Sequence, residues 1–147
     1  MYQRILIATD GSTLSRKAVG SGIKLAALMG AQVVALKVVP RYPVSYFEGG
    51  MTVSAKDVAK VEKQWAEAAL AVVEDVKVSA EAKGVKAKAV ITTSDLISES
   101  IIATAKKHKC DLIVMASHGR RGLKRLLLGS ETVQVLTHSH VPVLVLR

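Results

Sequence analysis

The chain has 147 residues, half of them apolar, with 21 Lys and Arg against 12 Asp and Glu and a formal net charge of +9; that suffices for one domain with a full core, and the positive excess favours anionic partners. Its apolar runs fall far short of the roughly 20 residues of a membrane span, and one Trp, three Tyr and one Phe are too few for the stacking platforms of single-strand readers, so neither a membrane nor nucleic acid is expected as a partner. The lone cysteine, Cys110, cannot form an internal disulfide, and the N-terminus enters a strand pattern without a signal core; both point to the cytoplasm.

Arg4 to Thr9, RILIAT, reads as a strand. Leu14, Ala18, Gly22, Leu25 and Met29 then recur on one helical face, with Ser12 placed as N-cap and Gly30 as a left-handed terminator. Gln32 to Val39 is a second strand. Pro40 to Ser54 is a long loop holding Tyr42, Tyr46 and Phe47 between Pro40 and the pair Gly49-Gly50. Those rings serve either as packing anchors or as a lid that covers a bound base. A second helix begins near Lys56, carries Val58, Val61, Trp65, Ala69, Val72 and Val76 on one face, and ends before Gly84. Val85 to Ile91 alternates as a strand, Asp95 to Lys109 has Ile97, Ile101 and Ala105 at helical spacing, and Asp111 to Ala116 is a continuous apolar run. Ser130 to His138 is the last helix and Val141 to Arg147 the last strand.

Strands alternating with helices imply a single α/β domain over residues 1–147: an open five-stranded parallel sheet with helices on both faces, Rossmann-like, because parallel neighbours need crossover helices. Ligands of such sheets bind beyond the carboxyl ends of the strands, where the strand order reverses. The loops at that edge are Thr9 to Ser12, the aromatic loop, Thr92 to Asp95, and the stretch MASHGRRGLKRLLLGSETV, Met115 to Val133.

In that stretch Gly119, Gly122 and Gly129 allow positive φ or close approach to a ligand, and Ser130 reads as the N-cap of the last helix. The N–H groups of Ser130, Glu131 and Thr132 then form an anion site, with phosphate the obvious anion and Arg120, Arg121, Lys124 and Arg125 adding charge. The Glu131 carboxylate opposes a phosphate unless it points away. There is no G-x-x-x-x-G-K-[ST] and no G-x-G-x-x-G after the first strand, which excludes a P-loop enzyme and an ordinary dinucleotide fold. Asp10, Asp95 and Glu131 are the only carboxylates placed at this edge, thin equipment for hydrolysis, and no catalytic residue is assigned. His138 and His140 lack a third metal ligand.

ILIATDGS, Ile5 to Ser12, and the terminal stretch from Asp111 to Arg147 resemble the universal stress protein family, and the resemblance runs over essentially the whole chain. It implies an adenine nucleotide alpha hydrolase-like fold and membership of an ATP-binding subgroup whose pattern is G-x-x-G, nine residues, then G-[ST]. Gly119 is the second glycine, Arg120 to Leu128 the nine, and Gly129-Ser130 the close. Ala116 replaces the first glycine, a methyl that matters if φ there is positive.

Carried over residue by residue, the resemblance places Asp10 near the adenosine and Val38 against the adenine. It places Ala116, Ser117, His118 and Gly119 around the ribose and phosphates, and Ser130 and Thr132 on the phosphates. Ala8, Thr9, Ser12, Met115, Arg120, Arg121, Gly122, Gly129 and Glu131 complete the implied nucleotide-binding set, with Mg or Mn as candidate ions on the phosphates. It further implies a regulatory or stress-response role with little hydrolysis, unidentified protein partners, and a homodimer through Val141 to Arg147, whose apolar edge needs covering. The alternatives are a nucleotide-free dimeric interaction module of the same fold, or an ATP-dependent ligase, for which the adenylating SGG-D type motif is missing.

Overall fold

A computed structural model describes residues 1–43, 54–119 and 128–147. In chain order these form β1 (Arg4–Ala8), α1 (Thr13–Met29), β2 (Gln32–Val39), α2 (Ala55–Glu81), β3 (Ala87–Thr93), α3 (Ile97–Lys107), β4 (Leu112–Ala116), α4 (Ser130–His138) and β5 (Val143–Leu146). The strands make one five-stranded sheet, parallel throughout, in the order β3-β2-β1-β4-β5. Single-domain α/β architecture with helices on both faces is therefore what the chain adopts. The strand order reverses at β1, which has β2 on one side and β4 on the other.

Residue parity decides which layer each strand side chain enters, because successive side chains point to opposite faces. Ile5, Ile7, Val33, Ala35, Leu112 and Val114 pack with Ile23 and Ala26 of α1 and Val73, Val76 and Ala80 of α2. Leu6, Ala8, Val34, Leu36, Ile113 and Met115 pack with Ile101 and Ala105 of α3 and Val135 of α4. Within the long α2, Val73 takes the buried place expected of Val72, which is half-buried.

The ends of α1 follow the sequence. Ser12 Oγ accepts the Ser15 N–H at 3.2 Å, and Gly30 closes the helix at φ 67°. α1 can lie close on the sheet because Gly22 has no side chain: a Cβ there would stand 2.7 Å from Ile7 Cδ1. After α2, Gly84 turns at φ 75° and the Val85 N–H donates back to Ala80 O at 3.0 Å. Val85 is thereby spent, buried, on closing the helix end. The third strand accordingly runs Ala87–Thr93 and not Val85 to Ile91.

Candidate functional site

At the carboxyl edge, between the ends of β1 and β4, lies a cleft of about 160 Å³. Leu36, Val38, Ile97, Ile101 and Met115 form its apolar wall, while Thr9, Asp10, Ser15, His118, Glu131 and Thr132 supply polar groups. Of the residues expected from the sequence, Ala8, Thr9, Asp10, Val38, Met115, Ala116, His118, Gly119, Glu131 and Thr132 line it. Ser12, Ser117, Gly129 and Ser130 are not among its lining residues, and Arg120, Arg121, Gly122, Lys124 and Arg125 lie outside the described residues.

The turn after β1 is held by its own side chains. Thr9 Oγ1 accepts the Gly11 N–H at 3.1 Å and pairs with Ser15 Oγ at 3.0 Å, and Asp10 Oδ1 accepts the Ser12 N–H at 2.9 Å. Gly11 takes φ 80°, which glycine adopts without strain. Asp10 is thus fixed with Oδ2 beside Gly119: a Cβ on Gly119 would stand 2.8 Å from it.

The exit from β4 is tied at several points. The Ser117 N–H donates to Leu146 O at 2.7 Å, and Ser117 O accepts the Gly129 N–H at 2.8 Å. The buried Thr132 hydroxyl lies 3.1 Å from both Ala116 O and Ser117 O. Its proton is committed to those carbonyls, so the group it can offer a ligand is its backbone N–H. Among the described residues Lys109 is the one non-glycine with positive φ, so Ala116 sits in ordinary strand backbone and its methyl brings no strain. Ser117 Oγ and His118 Nδ1 are 2.9 Å apart. His118 Nε2 is buried on the cleft wall without a partner, which leaves the ring one unused hydrogen-bonding atom there.

The cap of α4 is Gly129, not Ser130. Gly129 has extended backbone (φ −62°, ψ 152°), and its carbonyl accepts the Val133 N–H at 3.0 Å, which makes exposed Ser130 the first helical residue. What glycine offers at 129 is close approach and not its φ: a Cβ would stand 3.2 Å from Ser117 O, a tight contact. The first-turn N–H groups of Ser130, Glu131 and Thr132 therefore point out of a helix end that carries no side-chain cap. The Glu131 carboxylate is turned toward α3, where Oε2 accepts the Ser98 N–H at 3.0 Å.

Tyr42 stacks on Trp65 of α2 with ring centroids 6.0 Å apart and planes 22° apart. The neighbouring Arg41 N–H donates to Asp95 Oδ1 at 3.0 Å. This ring packs against α2 and is not among the residues that line the cleft; Tyr46, Phe47, Gly49 and Gly50 lie outside the described residues. Ser15, Leu36, Ile97 and Ile101 line the cleft without having been expected there. His138 and His140 face a separate groove between α3 and α4, and among the described residues no three His, Cys, Asp or Glu are grouped to hold a metal. No described helix is long and apolar enough to cross a membrane.

Two groups with displaced titration lie at the opposite, amino edge of the sheet. Burial pushes the Cys110 thiol up to about 11, opposed by Arg4 and reinforced by Asp111. Burial, with the positive charges of Lys88, Lys107 and Arg4, pulls His108 below its ordinary 6.5.

Comparison with known proteins gives a match over the whole chain. The model of the Universal stress protein family fits residues 1–147. Universal stress protein MJ0531 of Methanocaldococcus jannaschii is 37% identical over 151 residues, which cover 100% of this chain and 83% of that protein. Universal stress protein YxiE of Bacillus subtilis is 32% identical over 149 residues and 100% of both chains. The solved structure of MJ0577, also from Methanocaldococcus jannaschii, superposes with a TM-score of 0.83 at 30% identity, covering 99% of this chain and 96% of that one.

Proposed function

Because this chain belongs to the universal stress protein family, we propose that it binds ATP at the carboxyl edge of its sheet and acts as a cytoplasmic regulatory or stress-response protein with little turnover. The observation that carries the reading is the first turn of α4. A glycine-capped helix start, with no side chain bonded to its N–H groups, opens beside a cleft whose other wall is apolar. An anion fits the first part and a base the second. Proteins of the same fold are known in complex with cAMP, with dAMP and with AMP, which supports an adenine nucleotide as the ligand class.

Adenine would lie against Val38, Leu36 and Met115, the ribose near Asp10 and His118, and the phosphates toward the N–H groups of Ser130, Glu131 and Thr132. Mg or Mn would be the class of ion to accompany such phosphates, and among the described residues no cluster of His, Cys, Asp or Glu is placed to hold it. Low turnover is favoured by the carboxylates of this edge. Asp10, Asp95 and Glu131 each accept a backbone N–H, from Ser12, Arg41 and Ser98 respectively. Each of these bonds ties the carboxylate to backbone that shapes the edge.

β5 lies at the edge of the sheet with Leu144 38% exposed. Pairing it with a second copy would satisfy its open backbone groups, which supports a homodimer through residues 141–147. Native mass spectrometry of the purified protein, followed by calorimetry with ATP, AMP and adenosine, tests the ligand reading. Copurified adenine nucleotide, or saturable binding with ATP tighter than adenosine, is expected. No binding of any of the three would overturn it in favour of an interaction module.

A further inference from the structure

Glu131 and Ser98 lie 33 positions apart and on different helices, yet they share a 3.0 Å hydrogen bond. α3 depends on it, since its own N-cap residue, Leu96, supplies no side-chain bond to the first turn. α4 is capped by a glycine and has no side-chain bond either. Two positive helix ends therefore converge on one half-buried carboxylate in the wall of the cleft. Each helix presents something different there: α3 gives Ile97 and Ile101 to the apolar wall, and α4 gives its first N–H groups.

Resting on the nucleotide reading above, we propose that Glu131 sets the preference of the site among phosphate chain lengths. A free surface carboxylate would swing away from an incoming phosphate. This one is held by the Ser98 N–H, so its negative charge stays beside the helix start that attracts the phosphates. The repulsion grows with each phosphate charge, whereas adenosine, being neutral, does not feel it. Glu131 thereby narrows the advantage of a triphosphate over a monophosphate. Its second task is positional, because the same bond fixes the first turn of α3 and with it Ile97 and Ile101.

The two tasks separate by substitution. Glu131→Gln keeps the shape and an acceptor for Ser98 and removes the charge; Glu131→Ala removes both. Calorimetry on the full chain with ATP, AMP and adenosine, in the absence of divalent ions so that ATP keeps its full charge, is expected to show the ATP-to-AMP affinity ratio rising roughly three- to tenfold in E131Q, with adenosine unchanged within about twofold and the gain shrinking at high salt. In E131A the ratio should rise similarly, while adenosine binding weakens because the apolar wall has lost its tie. An ATP-to-AMP ratio in E131Q equal to that of the parent, in a parent that does bind ATP, overturns this inference alone. A parent that binds none of the three ligands overturns the nucleotide reading and this inference with it.

Discussion

Gly119 and Asp10, 109 positions apart, meet so closely that a single added carbon on the glycine would stand 2.8 Å from the Asp10 carboxylate. The loops after the two strands flanking the reversal point are in contact through these residues. Since Asp10 Oδ1 is already bonded to the Ser12 N–H, the carboxylate cannot yield without giving up that bond. Gly119→Ala should therefore weaken adenosine and ATP together by about tenfold, the worth of one hydrogen bond of ~1.4 kcal/mol. Folding stability should fall by less than about 1 kcal/mol, because the clash is with the end of a side chain. Calorimetry with both ligands and a urea titration check the two halves; unchanged adenosine affinity would remove Asp10 from the adenosine end of the site.

Ser130 gives the complementary outcome. It is exposed and is the first residue of α4, not its cap, so Ser130→Ala should leave the melting temperature where it is. If its hydroxyl meets a phosphate, ATP binding should lose roughly 1.5–3 kcal/mol, the value of a hydrogen bond to a charged group. Adenosine should bind as before. Equal losses for both ligands would show that the hydroxyl is not on the phosphates.

Thr132→Val tests a different link. The hydroxyl it removes bonds to the carbonyls of Ala116 and Ser117 inside the protein. Ser117 O keeps the Gly129 N–H, so the loss is set by the bond to Ala116 O, about 1 kcal/mol, and denaturant unfolding should read it in the absence of any ligand. A variant as stable as the parent would mean that these bonds add nothing to folding.

Two groups at the amino edge each make stability depend on pH. His108 is held below its ordinary 6.5 in the fold; the unfolded chain therefore takes up its proton first, and stability falls as pH drops through 6.5 and below. Cys110 is pushed from 9.0 up to about 11; there the unfolded chain loses its proton first, and stability falls as pH climbs from 9 toward 11. Thermal melts across both windows should show these slopes. His108→Gln should flatten the acid one and Cys110→Ala the alkaline one, and a slope that survives its own substitution belongs to another group.

The legible parts of the molecule were those written in local pattern. Gln32 to Val39 and Ser130 to His138 are bounded as the periodicity indicates, and Ser12 and Gly30 cap α1 as their chemistry dictates. What escaped depends on distant partners. Ile97 and Ile101 have the spacing of core residues, and nothing local reveals that the first turn of α3 opens on a cleft. The cap of α4 is displaced by one residue because Ser130 has the side chain that caps favour, whereas Gly129 is placed by the approach of Ser117 O, a contact invisible in sequence. Glu131 reads as a side chain free to turn away from a phosphate until Ser98 is known to hold it beside the helix start. Tyr42 similarly gave no sign of choosing Trp65.

The bond from the Ser117 N–H to Leu146 O bears on how the protein is made. The cleft combines a turn near residue 10 with a strand exit near residue 117, and that exit is fastened by a residue synthesised 29 positions later. A nascent chain on the ribosome thus carries α1, α2 and most of the sheet before any nucleotide has a place to sit. A ligand stabilises only the state that binds it, so under the proposed function a nucleotide would find no site until the early, long-range strand pairings, the slow part of such a topology, have formed. A nucleotide bound there would then act on finished molecules, adding to their stability by mass action and lengthening their survival against proteolysis.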